Sequence, residues 1–303
     1  MSSRVFIALG TSSQVPTRER NHNGYFLRWD TEGMLFDPGE GTQRQMTFAG
    51  VSASDITKIF ITHFHGDHCL GLPGVWQRLS LDKVAHTVQL FYPASGQAFL
   101  ENLKNASIFH NFAHVEEHPV AEAGVIYDYQ DLRIEARRLD HTAESWGYRI
   151  QEKDSLRMLT AKLEELGVHG PGVGKLKREG SLIVDGKTVA LESVSVEKKG
   201  QSMAFVMDTR MCDGAMQLAD RADLLVCEST YLASETAEAI ARGHLTARQA
   251  AEIAREAGAD LLALTHYSQR YKEVEDFAEE ARAVHPKVLA MKDGDRIELS
   301  KRR

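Results

Sequence analysis

Cysteine is scarce in this sequence, and the three that occur, Cys69, Cys212 and Cys227, are scattered along its 303 residues. An odd number without regular spacing excludes a disulfide framework and indicates a reducing compartment, so we expect a cytoplasmic protein. Long apolar runs are also lacking, since none approaches the roughly 20 residues of a membrane-spanning helix. The briefly apolar start, Arg4–Leu9, is typical of a first strand rather than of a signal peptide.

Positive charge is not in excess either, because the formal net charge is −7. This argues against a protein that coats nucleic acid through bulk charge. It leaves RNA open as a substrate, since a local basic patch together with metal ions can bind it. Hydrophobic residues make up 43% of the chain and charged residues 26%, which is ordinary for a soluble globular protein of one large domain or two small ones.

One stretch of seven residues holds three imidazoles and one carboxylate: Thr62-His63-Phe64-His65-Gly66-Asp67-His68. It follows an apolar, β-branched run typical of a buried strand and precedes a turn into a helix. Imidazole and carboxylate are good ligands for zinc and similar divalent metals. His63 and His65 point the same way in an extended chain. Gly66 allows a turn that directs Asp67 and His68 to a second metal, and two metals about 3.5–4 Å apart suit hydrolysis of a phosphodiester.

Other predicted strands also end beside histidine or aspartate: Leu132–Leu139 before His141, Met203–Met207 before Asp208, and Leu261–Thr265 before His266. A lone histidine is usually structural, but its position at a strand end makes His141 a further candidate ligand. Helices are predicted between the strands, over Ala94–Ala106, over Ala247–Ala257 with Thr246 as N-cap, and over Lys272–Val284. This alternation predicts a layered α/β protein whose site lies along one sheet edge.

Residues 151–201 differ in composition from the rest, being rich in glycine and lysine. A solvated linker is one interpretation of such a stretch. A short helix is predicted inside it over Thr160–Leu166. Because regular alternation of strands and helices resumes afterwards, we interpret 151–201 as an insertion within a single domain that spans 1–303.

The chain resembles the ribonuclease Z family of metallo-β-lactamase-fold hydrolases, which process the 3′ end of tRNA. Three sets of motifs carry the resemblance, and they run nearly end to end. The first is Leu9-Gly10-Thr11 with Val15-Pro16-Thr17 and Asp37-Pro38-Gly39-Glu40-Gly41-Thr42-Gln43. The second is the inserted stretch Leu166–Lys177, which contains Gly170-Pro171. The third comprises Asp208-Thr209-Arg210, Glu228-Ser229-Thr230, His244-Leu245-Thr246 and Thr265-His266-Tyr267-Ser268-Gln269-Arg270-Tyr271.

The resemblance implies an αββα sandwich with an inserted flexible arm, and two zinc ions per subunit, for which another divalent metal such as Mn²⁺ is an alternative. It assigns His63, His65 and His141 to one ion, Asp67, His68 and His266 to the other, and Asp208 to both. Zinc lowers the pKa of bound water to about 7, which provides a nucleophile near neutral pH. Asp67 is also implied as the base, and His244, held by Glu228, as the acid that protonates the leaving group.

The implied reaction cuts the 3′ trailer from precursor tRNA after the discriminator nucleotide, leaving a 3′-hydroxyl on the tRNA and a 5′-phosphate on the trailer. The resemblance further implies that 151–201 is an arm that grips tRNA through Gly170, Pro171, Lys175, Lys177 and Arg178, with the basic residues meeting backbone phosphates. In the family the arm reaches tRNA bound at the partner subunit, so a homodimer is expected.

Two alternatives remain open from the sequence alone. One is a small-molecule phosphodiesterase or arylsulfatase of the same superfamily, against which the basic insertion argues, because a small substrate does not need it. The other is a non-catalytic RNA-binding subunit that has kept the fold, against which the complete set of candidate ligands argues.

Overall fold

The computed structural model of the protein describes residues 4–299. Its first sheet has seven strands: β1 (Arg4–Gly10), β2 (Gly24–Trp29), β3 (Glu32–Phe36), β4 (Lys58–Phe60), β5 (Val88–Pro93), β6 (Val115–Val120) and β18 (Arg296–Glu298). Their spatial order is β18-β1-β2-β3-β4-β5-β6. Pairing is antiparallel from β18 to β3 and parallel from β3 to β6.

The second sheet also has seven strands: β7 (Gly124–Tyr129), β8 (Leu132–Leu139), β9 (Ser145–Glu152), β14 (Ser202–Val206), β15 (Leu224–Glu228), β16 (Leu261–Thr265) and β17 (Val288–Ala290). Their order is β17-β16-β15-β14-β9-β8-β7, and β14 to β17 run parallel. Parallel neighbours end at the same edge, so the residues that follow β14 and β16 emerge on one side.

Helices cover the outer face of each sheet. Those on the first sheet are α1 (Thr42–Ala49), α2 (Gly66–Cys69), α3 (Leu72–Leu81) and α4 (Gln97–Lys104); those on the second are α7 (Asp213–Ala219), α9 (Ala247–Ala257) and α10 (Glu275–Arg282). A further helix, α8 (Thr236–Arg242), precedes α9 in the chain. Strand β1 shows why this layering forms. Phe6 and Ala8 pack in the core between the sheets, while Ile7 and Leu9 pack under the helices. Alternate residues of a strand face opposite sides of the sheet. A strand whose residues are all apolar therefore needs another layer packed against each face of the sheet. The predicted αββα sandwich is confirmed.

Residues Gln151–Gln201 form a compact unit by themselves. The unit contains β10 (Ser155–Met158), α5 (Thr160–Glu165), α6 (Pro171–Glu179), β11 (Ser181–Val184), β12 (Lys187–Ala190) and β13 (Ser195–Lys198). Strands β10 and β13 pair, β11 and β12 form a hairpin, and Leu163 and Leu176 lie in a small apolar core. Pro171 occupies the first position of α6, where its missing N–H costs nothing. Only the first of these helices is predicted from the sequence, whose composition is also typical of a linker.

Other elements differ from prediction at their ends or were missed. Helices α4 and α10 are shorter than predicted, whereas α9 matches and Thr246 accepts a bond from the Gln249 backbone N at 3.2 Å as its N-cap. Strands β6, β7 and β9 were not predicted. The first two are sheet edges with mixed polar sequences, and β9 contains Gly147, whose missing side chain lets Leu218 approach. Within residues 4–299, every helix is too short or too polar to cross a membrane.

Candidate functional site

The ends of strands from both sheets bring seven histidine and aspartate side chains to one place. The segment after β4 supplies four of them, two of which lie on the short helix α2. The residues that follow β8, β14 and β16 supply one each. The seven are His63, His65, Asp67, His68, His141, Asp208 and His266, which is the full set selected from the sequence.

The seven side chains fall into two groups that share one carboxylate. The ligand atoms of His63, His65, His141 and Asp208 lie within 4.8 Å of one another, as do those of Asp67, His68 and His266. Asp208 Oδ2 is 3.6 Å from His63 Nε2 and 3.7 Å from His141 Nε2. The other oxygen, Oδ1, is 3.1 Å from His266 Nε2 and 3.3 Å from His68 Nε2. Asp208 therefore presents one oxygen to each group.

The donor set fits a divalent metal centre. Among the described residues, neither Asp208 Oδ1 nor His266 Nε2 makes a hydrogen bond, although both atoms are buried. Buried polar atoms are rarely left without a partner unless an ion or a water binds them. Ring nitrogens also face each other, with His63 Nε2 2.9 Å from His65 Nδ1. Nitrogen and oxygen donors that converge in this way are typical of zinc and related metals, so the cluster is a metal-binding one.

Outer hydrogen bonds direct the histidine rings toward the centre. The Asp37 carboxylate accepts from His68 Nδ1 at 2.9 Å, and the Gly243 carbonyl accepts from His141 Nδ1 at 2.8 Å. A proton on Nδ1 leaves Nε2 bare in a neutral imidazole, which is the form that binds a metal. This role of Asp37 was not predicted from the sequence. Its position directly after β3, at a strand end like the other site residues, was the available signal.

A backbone contact orients Asp67. The Gln14 N–H donates to Asp67 Oδ2 at 2.7 Å, and His22 Nε2 donates to the Gln14 carbonyl at 3.0 Å. Gln14 has a φ of 53°, a left-handed conformation that is uncommon outside glycine. The loop after β1 thus contributes to the site, although no sequence signal marked Gln14 or His22.

His244 and Glu228 lie beside the metal-binding cluster as a pair. Glu228 is the last residue of β15 and is fully buried, and its Oε1 is 3.0 Å from His244 Nδ1. Glu228 Oε1 also accepts from the Thr209 backbone N at 2.8 Å. His244 Nδ1 is 3.9 Å from Asp208 Oδ2, so the imidazole adjoins the centre. The structure thus brings together Glu228 and His244, the two residues that the family resemblance implies as a pair.

Burial and neighbouring charges act in opposite directions on this pair. Burial lowers the pKa of His244, but the carboxylates of Glu228 and Asp208 outweigh it and raise that pKa to about 9. Burial raises the pKa of Glu228, and the adjacent His244 more than offsets it, so the pKa lies below its usual value. The pair is therefore a carboxylate and an imidazolium.

A cavity of about 830 Å³ opens over the centre. Asp67, His141, Asp208 and His244 line its floor, and Arg242 lies among its walls. This volume is in the range of pockets that hold a nucleotide-sized ligand. The arm residues predicted from the sequence belong to α6 of the separate compact unit: Gly170 is the N-cap, Pro171 begins the helix, and Lys175, Lys177 and Arg178 are exposed.

Comparison with known families and proteins gives matches along the whole chain. Residues 17–183 match the metallo-beta-lactamase superfamily, and residues 177–267 match the beta-lactamase superfamily domain. A protein named ribonuclease Z from Nocardia farcinica is 53% identical over 306 residues, and one of the same name from Streptomyces coelicolor is 51% identical over 305 residues. Each alignment covers 100% of this chain and 100% of the relative.

A solved structure gives the same result at the level of the fold. The short form of human tRNase Z superposes on this chain with a TM-score of 0.72 at 25% sequence identity. The superposition covers 97% of this chain and 98% of the human one. The likeness therefore extends over the whole chain in sequence as well as in fold.

Proposed function

The chain belongs to the ribonuclease Z family and is a tRNA 3′-processing endoribonuclease of the metallo-β-lactamase superfamily, and we propose that it cuts precursor tRNA after the discriminator nucleotide with two zinc ions. The observation that carries the proposal is Asp208, whose two oxygens face two separate groups of ligands. The full-length identity favours this function over a small-molecule phosphodiesterase, an arylsulfatase or a non-catalytic subunit.

The proposed ligand sets follow the two groups in the structure. His63, His65 and His141 would hold one ion, Asp67, His68 and His266 would hold the other, and Asp208 would offer one oxygen to each. Zinc is proposed over Mn²⁺ because most of the donors are imidazoles, whereas Mn²⁺ favours sites richer in oxygen. When bound, the two ions supply Lewis acidity and activate water for in-line attack on a phosphodiester.

The chain's own residues then move the protons. The Asp67 carboxylate, oriented by the Gln14 N–H, accepts a proton from the attacking water. His244 donates a proton from Nε2 to the leaving O3′ of the discriminator ribose, while Glu228 holds its Nδ1. The products are a tRNA with a 3′-hydroxyl and a trailer with a 5′-phosphate.

We propose that residues 151–201 bind the tRNA at a distance from the cut. Lys175, Lys177 and Arg178 are exposed on α6 around the buried Leu176, so their charges are available to backbone phosphates. Binding energy gained there positions the scissile bond without contacting it. Gly170 and Pro171 set the start of the helix that carries these charges.

We also propose a homodimer in the cytoplasm. Large apolar side chains are exposed on α3 and on the loop after α4, with Leu81 77% and Phe112 62% exposed. Both line a depression of about 400 Å³. Surfaces of this kind on a monomer mark protein contacts, and a second copy is the partner proposed here. The three cysteines are all free, which is consistent with a reducing compartment.

Cleavage of a precursor tRNA with a short 3′ trailer tests the function, with the product ends mapped and a p-nitrophenyl phosphodiester assayed in parallel. In the test variant alanine replaces Lys175, Lys177 and Arg178. We expect KM for the precursor to rise, the slope of log affinity against log salt to shrink by about 3, and aryl ester hydrolysis to be unchanged.

The matched control replaces three exposed basic residues outside the arm, Arg221, Arg255 and Lys287, which changes the net charge equally. An equal loss of affinity for precursor tRNA in both variants would mean that the overall charge of the protein, and not the arm, binds tRNA. Hydrolysis of the aryl ester with an uncut precursor, or a cut at another position, would overturn the proposed reaction.

A further inference from the structure

We propose that Thr230 is a positioning residue that fixes the proton of His266 on Nδ1 and thereby links Glu228 to the metal centre. Thr230 Oγ1 lies between the two groups, 2.6 Å from Glu228 Oε2 and 2.8 Å from His266 Nδ1. The residue is 2% exposed. The inference rests on the proposed metal centre and adds to it a residue that is not itself a ligand.

The direction of each hydrogen bond follows from what the atoms can donate. A carboxylate only accepts, and a hydroxyl has a single proton, so Thr230 gives its proton to Glu228 Oε2. The same hydroxyl then accepts from His266 Nδ1, which must carry the hydrogen. An imidazole that binds a metal is neutral and has only one N–H, so a hydrogen on Nδ1 leaves His266 Nε2 bare for the ion. That nitrogen faces Asp208 Oδ1 at 3.1 Å.

Glu228 thus acts on two sides of the site. Its Oε1 holds His244, the proposed acid, and its Oε2 acts through Thr230 on His266, a proposed ligand. Thr230 Oγ1 also lies 3.2 Å from His244 Nδ1, a longer contact than the other two. The Thr230 backbone N donates to Glu228 Oε2 at 3.2 Å, which fixes the hydroxyl relative to the carboxylate.

The hydroxyl, rather than the volume, of Thr230 is what this arrangement requires. Valine has the same shape but cannot bond either neighbour, so Thr230→Val leaves His266 Nδ1–H without its acceptor. Serine keeps the hydroxyl. Removing a residue that hydrogen-bonds a metal ligand typically lowers metal affinity by about 10–100-fold, and we expect an effect of that size here.

The test compares Zn²⁺ binding to the metal-free wild type, Thr230→Val, Thr230→Ser and a control, Thr42→Val, by competition with a chromogenic chelator. Thr42 is fully buried, and within the described residues its Oγ1 makes no hydrogen bond. We expect Thr230→Val to bind one of two ions about 10–100-fold more weakly, with Thr230→Ser and Thr42→Val close to wild type. Thermal unfolding of the metal-free forms shows that each variant is folded.

Equal affinities for both ions in Thr230→Val and wild type would overturn the inference while leaving the metal centre intact. Failure of Thr230→Ser to restore binding would also overturn it, because the hydroxyl would then not be the cause. A wild type that binds no Zn²⁺ would instead overturn the proposed metal centre. If Thr230→Val does not fold, Thr230→Ala removes the same hydroxyl with no added steric demand, and the same comparison decides.

Discussion

Burial and neighbouring charges shift the pKa values of His63, in the cluster, and His244, beside it, in opposite directions. Burial lowers the pKa of His63 well below its usual value, with the neighbouring imidazoles adding to the effect. Burial acts in the same direction on His244, but the carboxylates of Glu228 and Asp208 reverse it. A neutral imidazole is suited to bind a metal and an imidazolium to donate a proton, which agrees with the different roles proposed for His63 and His244.

Replacing His244 by glutamine is expected to lower kcat for precursor tRNA by about 10²–10⁴-fold, because the leaving ribose oxygen then lacks its proton donor. Single-turnover cleavage measures this. A p-nitrophenyl phosphodiester needs no such proton, since its leaving group is a stable anion, and it serves as the internal control. Equal losses on both substrates would show that His244 acts on the metal centre or the fold, not as the acid.

The members of the cluster could be predicted from the sequence, because histidine and aspartate are typical metal ligands and each of them lies close after a predicted strand. The residues that orient them were not predictable in the same way. Asp37, Gln14 and Thr230 each hydrogen-bond a site side chain from another segment of the chain. Such contacts depend on the packing of the two sheets, which no local pattern describes.

Three site residues at the ends of strands have left-handed backbone conformations. The φ angle is 44° at Asp37, 34° at Asp208 and 63° at His266. Each of these residues follows a strand of the two sheets, and the turn it makes directs its side chain into the centre. A left-handed conformation costs a non-glycine residue about 1–3 kcal/mol, so these three residues carry backbone strain at the place where the side chains of the cluster converge.

Removal of metal is expected to lower the melting temperature, because bound ions stabilise only the folded state. At a free ion concentration 100 times Kd the gain is about 2.7 kcal/mol for each bound ion, which corresponds to roughly 4 °C per ion for a chain of this size. Thermal unfolding with and without a chelator measures it. Asp208→Asn is the control, since it weakens both sets of ligands and should shrink the difference. Identical curves for the wild type in both conditions would contradict a resident metal.

Elements were predictable where both faces of a strand are apolar or where a helix has a clear cap. The strand β16 and the helix α9 match their predicted bounds. The sequence of β9 gave no such signal, since Gly147 interrupts it, and its glycine is explained only by the approach of Leu218. The apolar core of the inserted segment, around Leu176, is small. Few apolar residues therefore recur at helical or strand spacing there, and most of its helices and strands could not be predicted.

At the scale of the whole molecule, the proposed dimer is expected to depend on the apolar surface of α3 and the loop after α4. The double variant Leu81→Asp, Phe112→Asp places two charges there and should be monomeric in light scattering coupled to gel filtration. Val125→Asp, at an exposed apolar residue of the edge strand β7, is the matched control. A monomeric wild type, or a double variant that remains dimeric, would contradict the proposed contact.

The residues at which the inserted unit begins and ends lie next to each other. The Glu152 backbone N donates to the Gln201 carbonyl at 2.8 Å, and these residues stand where β9 ends and β14 is about to begin. An insertion with adjoining ends adds little to the loop-closure entropy of the domain that carries it. If this unit binds tRNA as proposed, substrate recognition and bond cleavage can evolve separately: the unit can be lengthened, shortened or exchanged while the strands of the two sheets keep their register.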